Sequence, residues 1–348
     1  MASALERYNY PRIWWCVRYF ALFALVFLLL VGQSLVVFAG NLTGQNSAEC
    51  LGIQDEMQRL ECYDNLFHTP DRTTFLEHVW DLGGASQPLF AFSNFKPIYI
   101  LLGKYSDNLN ETPSTPSHPS AAYATKLSHT ETTYQLSFKN KLMQDIPMFG
   151  GSLWFAYTQV SHWQLYNSTQ SSPFRANDYE PQLIYSLPIK ERWGIAQNLP
   201  FDMHWKVLNV GLIHQSNGQS GEFSRSWNRV YTEIGFENKH LTVLLRPWLR
   251  LPEPGATDDN PDITSYLGHG ELRLIYNYGR QYVSLLGRYN ATAHRGAAQL
   301  DYVYPISGEL QGYVQAFCGY GESLIDYNHR QNTIGFGVLI KPWKDAEE

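Results

Sequence analysis

Three side chains have the types and the spacing for acyl transfer. His214 and Ser216 stand two apart in His214-Gln215-Ser216-Asn217-Gly218, and Asn228 follows in Ser226-Trp227-Asn228-Arg229. A serine hydroxyl is a weak nucleophile until a neighbouring base takes its proton, and imidazole is the usual base. A third group that holds the imidazole's tautomer and orientation completes such a site. Asn in that third role avoids an ionised carboxylate, which would be costly to desolvate near hydrocarbon. A strand-end His and a turn Ser at lipid head-group level would have the same spacing, and the motif by itself leaves both readings open.

Parity gives these residues a direction. Residues two apart on a strand share a face, so His214 and Ser216 continue the row Leu208, Val210, Leu212. In the following segment the even positions Asn228, Val230, Ile234 and Phe236 form the apolar row, opposite Arg229, Glu233 and Glu237. A hairpin at 215–225 brings Asn228 beside His214, all three facing the apolar side.

The elements that must carry them repeat the same pattern. Period-two segments are expected near 97–104, 132–139, 152–164, 179–187, 204–214, 226–237, 241–250, 265–278, 281–290, 297–304, 309–317 and 333–341. Short connections at 237–240, 278–281 and 305–308 alternate with long polar ones at 106–120, 166–178, 215–225, 252–264 and 319–330. Twelve strands with tight turns at one end and long loops at the other describe an outer-membrane barrel, all-β and antiparallel, with the long loops outside. Leu241, Val243, Leu245 and Leu249 form one outward row; Leu272, Leu274, Tyr276 and Tyr278 form another, opposite Glu271, Arg273 and Asn277. Charged residues therefore point inward, and pairs among Glu233, Glu271, Arg273 and Arg288 should fill the interior, since paired charges are cheaper to enclose than lone ones.

Composition agrees. The 348 residues carry a formal charge of −6, which excludes the basic footprint of a nucleic-acid binder, and 15% are aromatic, as girdles at both membrane interfaces require. Arg7, Arg12 and Arg18 precede an apolar run at 19–31, and Val37-Phe38-Ala39 offers a cleavage site, so 1–39 reads as a secretory signal. Extended through 35–38 the run is long enough to span, so an uncleaved anchor is the alternative. A leader at 40–90, the barrel at 91–341 and a tail at 342–348 follow. Cys16 leaves with the signal; Cys50 and Cys62 could pair in an oxidising compartment; Cys318 is left over and structural. A zinc site would need more ligands than this leader holds.

The chain also resembles the outer-membrane phospholipase A family. The resemblance lies in Ser171-Ser172-Pro173-Phe174-Arg175 with Tyr179-Glu180-Pro181-Gln182, in 214–218, in 224–229, in Thr257-Asp258-Asp259-Asn260-Pro261-Asp262 and in Gly319-Tyr320-Gly321-Glu322-Ser323-Leu324-Ile325-Asp326-Tyr327, in order through nearly all of the chain after Pro97. It implies a twelve-stranded barrel that hydrolyses phospholipid acyl esters (phospholipase A1/A2 and lysophospholipase), binds calcium and works as a homodimer. Its site would face the outer leaflet of the bacterial outer membrane. On that resemblance Ser216 is the nucleophile, His214 the base, Asn228 the orienting residue, and the Gly218 amide lies in the oxyanion hole. Calcium would be held by the Ser224 hydroxyl, the Gln219 carbonyl and the Ser171 carbonyl of a second subunit, oxygen ligands suited to a hard cation.

Two departures are evident. Gly221 stands where the family often has an acidic residue, although Glu222 adjoins it, which puts a secondary calcium site in doubt. Asp259 lies in the matching loop and is read as a weak calcium ligand or, more simply, a solvated carboxylate. The chain also runs past Ile340 instead of ending on an aromatic. Gln159, in the outward row with Leu153, Phe155, Tyr157 and Trp163, puts an amide against lipid; the resemblance makes it a hydrogen bond across the dimer, and a head-group contact is the alternative. The rival function is a passive barrel, a narrow porin or a scaffold.

Overall fold

Alternating side chains satisfy a membrane only if every backbone N–H and C=O finds a partner within the protein, which closed barrels achieve. The computed structural model describes residue 59 and residues 74–341 apart from 84–86, 125, 148–149, 169–170, 190–198 and 309. The expected signal, Cys50, Cys62 and the tail at 342–348 lie outside the described residues. The chain divides into two units, Met1–Thr73 and Thr74–Glu348, and the described strands belong to the second.

In chain order the elements are α1 (Phe75–Trp80), β1 (Phe92–Asn94), β2 (Ile98–Ser106), β3 (Thr130–Gln144), β4 (Ser152–Trp163), β5 (Phe174–Pro188), β6 (His204–Ser216), β7 (Ser226–Glu237), β8 (Leu241–Arg250), α2 (Thr264–Leu267), β9 (Gly270–Tyr278), β10 (Gln281–Asn290), β11 (Arg295–Ser307), β12 (Leu310–Tyr320) and β13 (Arg330–Lys341). β2 to β13 pair with their sequence neighbours, all antiparallel, and β13 pairs with β2 to close a twelve-stranded barrel. β1 adds three residues of pairing to the end of β3. Closure removes the open edges that would otherwise seek another chain.

The two faces fall as the parity predicts. Outward positions such as Val210, Leu212, Val230, Leu245, Leu249 and Leu272 are exposed, whereas Asn209, Glu233 and Gln182 on the inward positions are buried. Exposed Tyr105, Tyr166, Phe174 and Tyr289 ring the long-loop end; Tyr276, Tyr278 and Tyr304 ring the short-turn end. An apolar belt between two aromatic rings is the surface of a protein solvated by lipid.

The lumen is filled, by a wider set of pairs than expected. Glu233 and Glu271 share Arg246, which stands directly across from Glu271 in the β8–β9 register. Arg273 turns to Asp301 at 3.7 Å, and Arg288 donates to the Gly321 carbonyl at 2.9 Å. Arg229 pairs with Glu180, and Lys104 bridges Glu131 and Glu322 at 3.1 and 3.2 Å. Adjacent inward positions of neighbouring strands decide the partners, so residues distant in sequence were not legible as pairs. A passive pore finds no support in so packed an interior.

The structure departs from expectation in several places. Residues 74–83 were assigned to a leader, yet α1 sits in the barrel's own core. Thr74 caps it reciprocally with Glu77, its Leu76 N–H donates to Glu237 at 2.9 Å, and Leu76 and Trp80 pack with Trp154, Ile184 and Val207. Six residues are too short to stand alone as a helix in water, so its periodicity was too brief to read; burial holds it. The strand expected from 265 begins at Gly270, because α2 takes up Thr264–Leu267 and Gly268, at φ 72°, ends it. Loop lengths also sort less cleanly than the reading had them: 291–294 is a tight turn at the long-loop end and 189–203 a long connection at the other. Cys318, expected as the odd cysteine, is buried near the end of β12.

Candidate active site

β6 and β7 set the site. Their register places His214 opposite Asn228 and Ser216 opposite Ser226, and on the other side Ser216 lies opposite Tyr179 of β5. Around them Ile213, Trp227 and Arg229 are buried in the lumen while Leu212 and Val230 are exposed, so all three candidate residues face outward. From inside, Gln215 accepts from Trp227 Nε1 at 2.8 Å and from Arg229 at 3.0 Å, fixing the two strand ends to each other beneath the site.

His214 is exposed, and its Nδ1 lies 2.8 Å from Asn228 Oδ1. An amide oxygen only accepts, so Nδ1 is the donor in this contact, which in the neutral ring leaves the lone pair on Nε2. The Asn228 amide in turn donates from Nδ2 to Glu253 Oε1 at 3.1 Å. Ser216 is half-buried beside the imidazole, and among the described residues no hydrogen bond joins its hydroxyl to the ring. Such bonds are often long until substrate is bound.

The turn after Ser216 is built around Asn217. This buried side chain donates to the Phe223 carbonyl at 2.7 Å and accepts from the amides of Gln219 and Arg225, at 3.3 and 3.0 Å. Gly218 takes φ +64°, and a Cβ there would come within 2.7 Å of the Tyr179 ring. Only glycine meets both conditions without strain.

The oxygen-donor cluster lies behind this turn. Ser224 Oγ donates to Asp259 Oδ2 at 2.7 Å, Ser226 Oγ reaches the same oxygen at 3.3 Å, and His118 Nε2 holds Asp259 Oδ1 at 2.9 Å. Asp259 is therefore an engaged carboxylate, not the solvated one the sequence suggested. Burial pushes its pKa up, and the hydrogen bonds from His118 and Ser224 outweigh that and lower it. Ser171 and Ser172 both adopt left-handed backbone, φ 56° and 50°, locked by Ser172 Oγ to the Leu165 carbonyl at 2.9 Å and by Trp163 Nε1 to the Ser172 carbonyl at 2.7 Å. Two non-glycine residues in that region cost of order 1–3 kcal/mol each and cluster at functional sites. Gln159 faces outward and is bonded within its own strand, accepting from Tyr157 at 3.1 Å and donating to Ser161 at 3.0 Å.

Glu253 and His118 were not legible from the sequence. Both sit in loops, where no period marks direction. The one available sign for Glu253 was its place between Pro252 and Pro254 just after a strand, a rigid setting for a lone carboxylate.

The closed barrel and its lipid-facing surface define the class: a membrane-embedded β-barrel of the outer-membrane type. The sequence matches the family model described as Phospholipase A1 over residues 76–340. The chain belongs to the phospholipase A1 family, and it is a phospholipase. It is 40% identical over 283 residues to a putative phospholipase A1 of Neisseria meningitidis, covering 80% of this chain and 72% of that one. It is 42% identical over 212 residues to phospholipase A1 of Escherichia coli, covering 60% and 69%. The structure of outer membrane phospholipase A from Escherichia coli superposes with TM-score 0.66 at 32% identity, covering 77% of this chain and 99% of that one. A Salmonella typhi outer membrane phospholipase, solved as a dimer with bound calcium, matches with the same TM-score and identity over 78% of this chain and 99% of that one.

Proposed function

We propose that the chain hydrolyses the acyl esters of membrane phospholipids with Ser216 as nucleophile, His214 as base and Asn228 as the group that orients it, as a calcium-dependent homodimer. The observation that carries this reading is the His214–Asn228 hydrogen bond on the outward face of the barrel, beside Ser216. A polar triad facing lipid is costly, and a substrate that is itself lipid accounts for the cost.

His214 Nε2 takes the proton from Ser216 Oγ as the hydroxyl oxygen attacks the ester carbonyl. The Gly218 amide donates to the oxyanion, a contribution typically worth about 10²–10³ in rate for one such donor. The protonated imidazole then gives its proton to the departing lysophospholipid oxygen, leaving an acyl-Ser216. Water, deprotonated by His214 in the same way, releases the fatty acid.

The donor chemistry of the turn fits calcium: the Ser224 hydroxyl and the Gln219 carbonyl would hold it, with Asp259 at hydrogen-bond distance from Ser224 and Ser171 supplied by a second subunit. When bound, the cation supplies positive charge near the developing oxyanion. The site lies at the long-loop end, so in the outer membrane it would face the outer leaflet, where the substrate is phospholipid that has strayed there.

The test is fatty-acid release from phospholipid micelles by purified protein, with calcium and with chelator, before and after a sulfonyl fluoride. We expect calcium-dependent release, abolished as the reagent attaches to Ser216, with Ser216→Ala folded, inactive and unlabelled. Full activity in Ser216→Ala, or labelling elsewhere, would sink the triad.

A further inference from the structure

The Asn228 amide can face His214 in two ways, and only one makes a base. With Nδ2 toward the ring, Asn228 would donate to Nδ1, move the ring proton to Nε2 and leave no lone pair for the serine proton. Something must select the other orientation. Glu253 Oε1 lies 3.1 Å from Asn228 Nδ2, and a carboxylate only accepts, so the amide nitrogen is held on that side and Oδ1 is left to the imidazole.

Glu253 is itself fixed. Pro254 restricts its backbone to extended conformations, and Thr257 N–H donates to the Pro254 carbonyl at 2.8 Å. On the other side, Leu251 N–H donates to the Asn228 carbonyl at 2.8 Å. Asn228 is thus gripped by backbone and by side chain from one short segment. Arg250 of β8 binds Asp258 at 2.6 Å and the Pro261 carbonyl at 3.0 Å, and His118 of the 107–129 loop binds Asp259. None of these donors is bonded to Glu253. Burial and the neighbouring Asp258 raise the Glu253 pKa, and Arg250 and the Asn228 hydrogen bond act against that.

We infer that Glu253 is a positioning residue of the hydrolytic site, holding the Asn228 amide oxygen toward His214 and placing a negative charge one amide behind the imidazole. The arrangement restores through a relay the carboxylate that a Ser–His–Asn triad lacks. The inference rests on the triad reading above and adds a fourth member to it.

The experiment measures kcat and KM for phospholipid in mixed micelles, across pH, with the full-length protein. The variants are Glu253→Ala, Glu253→Gln, Asn228→Ala and the Asn228→Ala/Glu253→Ala double. Glu253→Ala should lower kcat about two- to tenfold, the scale of one hydrogen bond, with KM unchanged. The acid limb of kcat/KM should move to lower pH, because an imidazole without a nearby negative charge binds its proton less tightly. Glu253→Gln keeps an acceptor, so it should recover most of kcat but keep the shifted limb. The double variant should be no slower than Asn228→Ala alone, since Glu253 acts through that residue. Asn228→Ala impaired with Glu253→Ala equal to wild type in rate and pH profile would overturn the inference and spare the triad, as would losses that multiply in the double variant. Asn228→Ala at the wild-type rate would overturn the triad reading itself.

Discussion

Ser216 and His214 stand where a membrane protein ordinarily keeps leucine, and the period-two pattern alone shows that. Each strand step turns a side chain by half a revolution, so one apolar row fixes the direction of every residue on it, through to the strand's last one. The register then had only one way to set Asn228 opposite His214. Glu253, Asp259 and His118 obey no such rule, because loop backbone has no period and their partners are 25, 35 and 141 residues away in sequence. Gly218 lies between these cases: Asn-Gly marks a turn, but the approach of Tyr179 is visible only in three dimensions. We expect Gly218→Ala to lower kcat at least about tenfold while the barrel stays folded. A side chain at φ +64° must displace Tyr179 or rotate the amide, and one misdirected oxyanion donor costs up to about 10²–10³. The measurement is kcat with heat-resistant migration as the fold check; wild-type turnover would remove the Gly218 amide from the oxyanion hole.

At the scale of elements, the strands were legible as far as lipid touches them and less so beyond. Ends at 226, 237, 241, 250, 281 and 290 fall where the alternation puts them. β5 begins at Phe174 and β13 at Arg330, earlier than the apolar pattern starts, because pairing and ion pairs, not burial against lipid, hold the outer ends. Arg175 is the centre of that outer network: it donates to Asp326 at 2.6 Å and to both oxygens of Glu131. Asp326 also accepts from Ser323 at 2.6 Å and Asn110 at 3.0 Å, tying the 321–329 loop to the 107–129 loop. Burial raises the Asp326 pKa, and Arg175 and these hydrogen bonds outweigh it, so the folded value lies below the ordinary one. A carboxylate with a depressed folded pKa contributes stability that is present above its unfolded pKa, about 3.9, and lost as pH falls through the folded value. The outer loops should therefore be protected from amide exchange at pH 6 and begin to lose that protection as the pH falls below about 4. Asp326→Asn should open them already at pH 6, since removing one partner of a buried pair costs about 3–5 kcal/mol. Protection at pH 6 in Asp326→Asn equal to that of the unaltered chain would show that this carboxylate does not hold the loops.

At the scale of the molecule, a filled lumen and a site on the outside belong together. The interior salt bridges and α1 make the barrel a rigid post, so chemistry and regulation are left to its surface. On that surface Gln159, whose side chain bonds to Tyr157 and Ser161 among the described residues, lies in the same outward belt as the proposed triad and opposite Tyr179, the neighbour of Ser216. In the proposed dimer, Ser171 of one subunit completes the calcium site beside Ser216 of the other, so a lone subunit lacks one ligand. Calcium should then bind the dimer more tightly than the monomer, and by linkage it should promote dimerisation by the same factor. Ser224→Ala removes a hydroxyl ligand and should weaken both effects without unfolding the barrel. Gln159→Ala should shift the monomer–dimer balance by about 0.6–2 kcal/mol, the range for polar contacts within membranes, and leave turnover per assembled dimer unchanged. Sedimentation in detergent, with calcium and with chelator, run beside activity on the same samples, reads all three. A calcium-free monomer that hydrolyses phospholipid as fast as the calcium-loaded dimer would mean that the site is complete within one chain, and the proposed seam would have no part in catalysis.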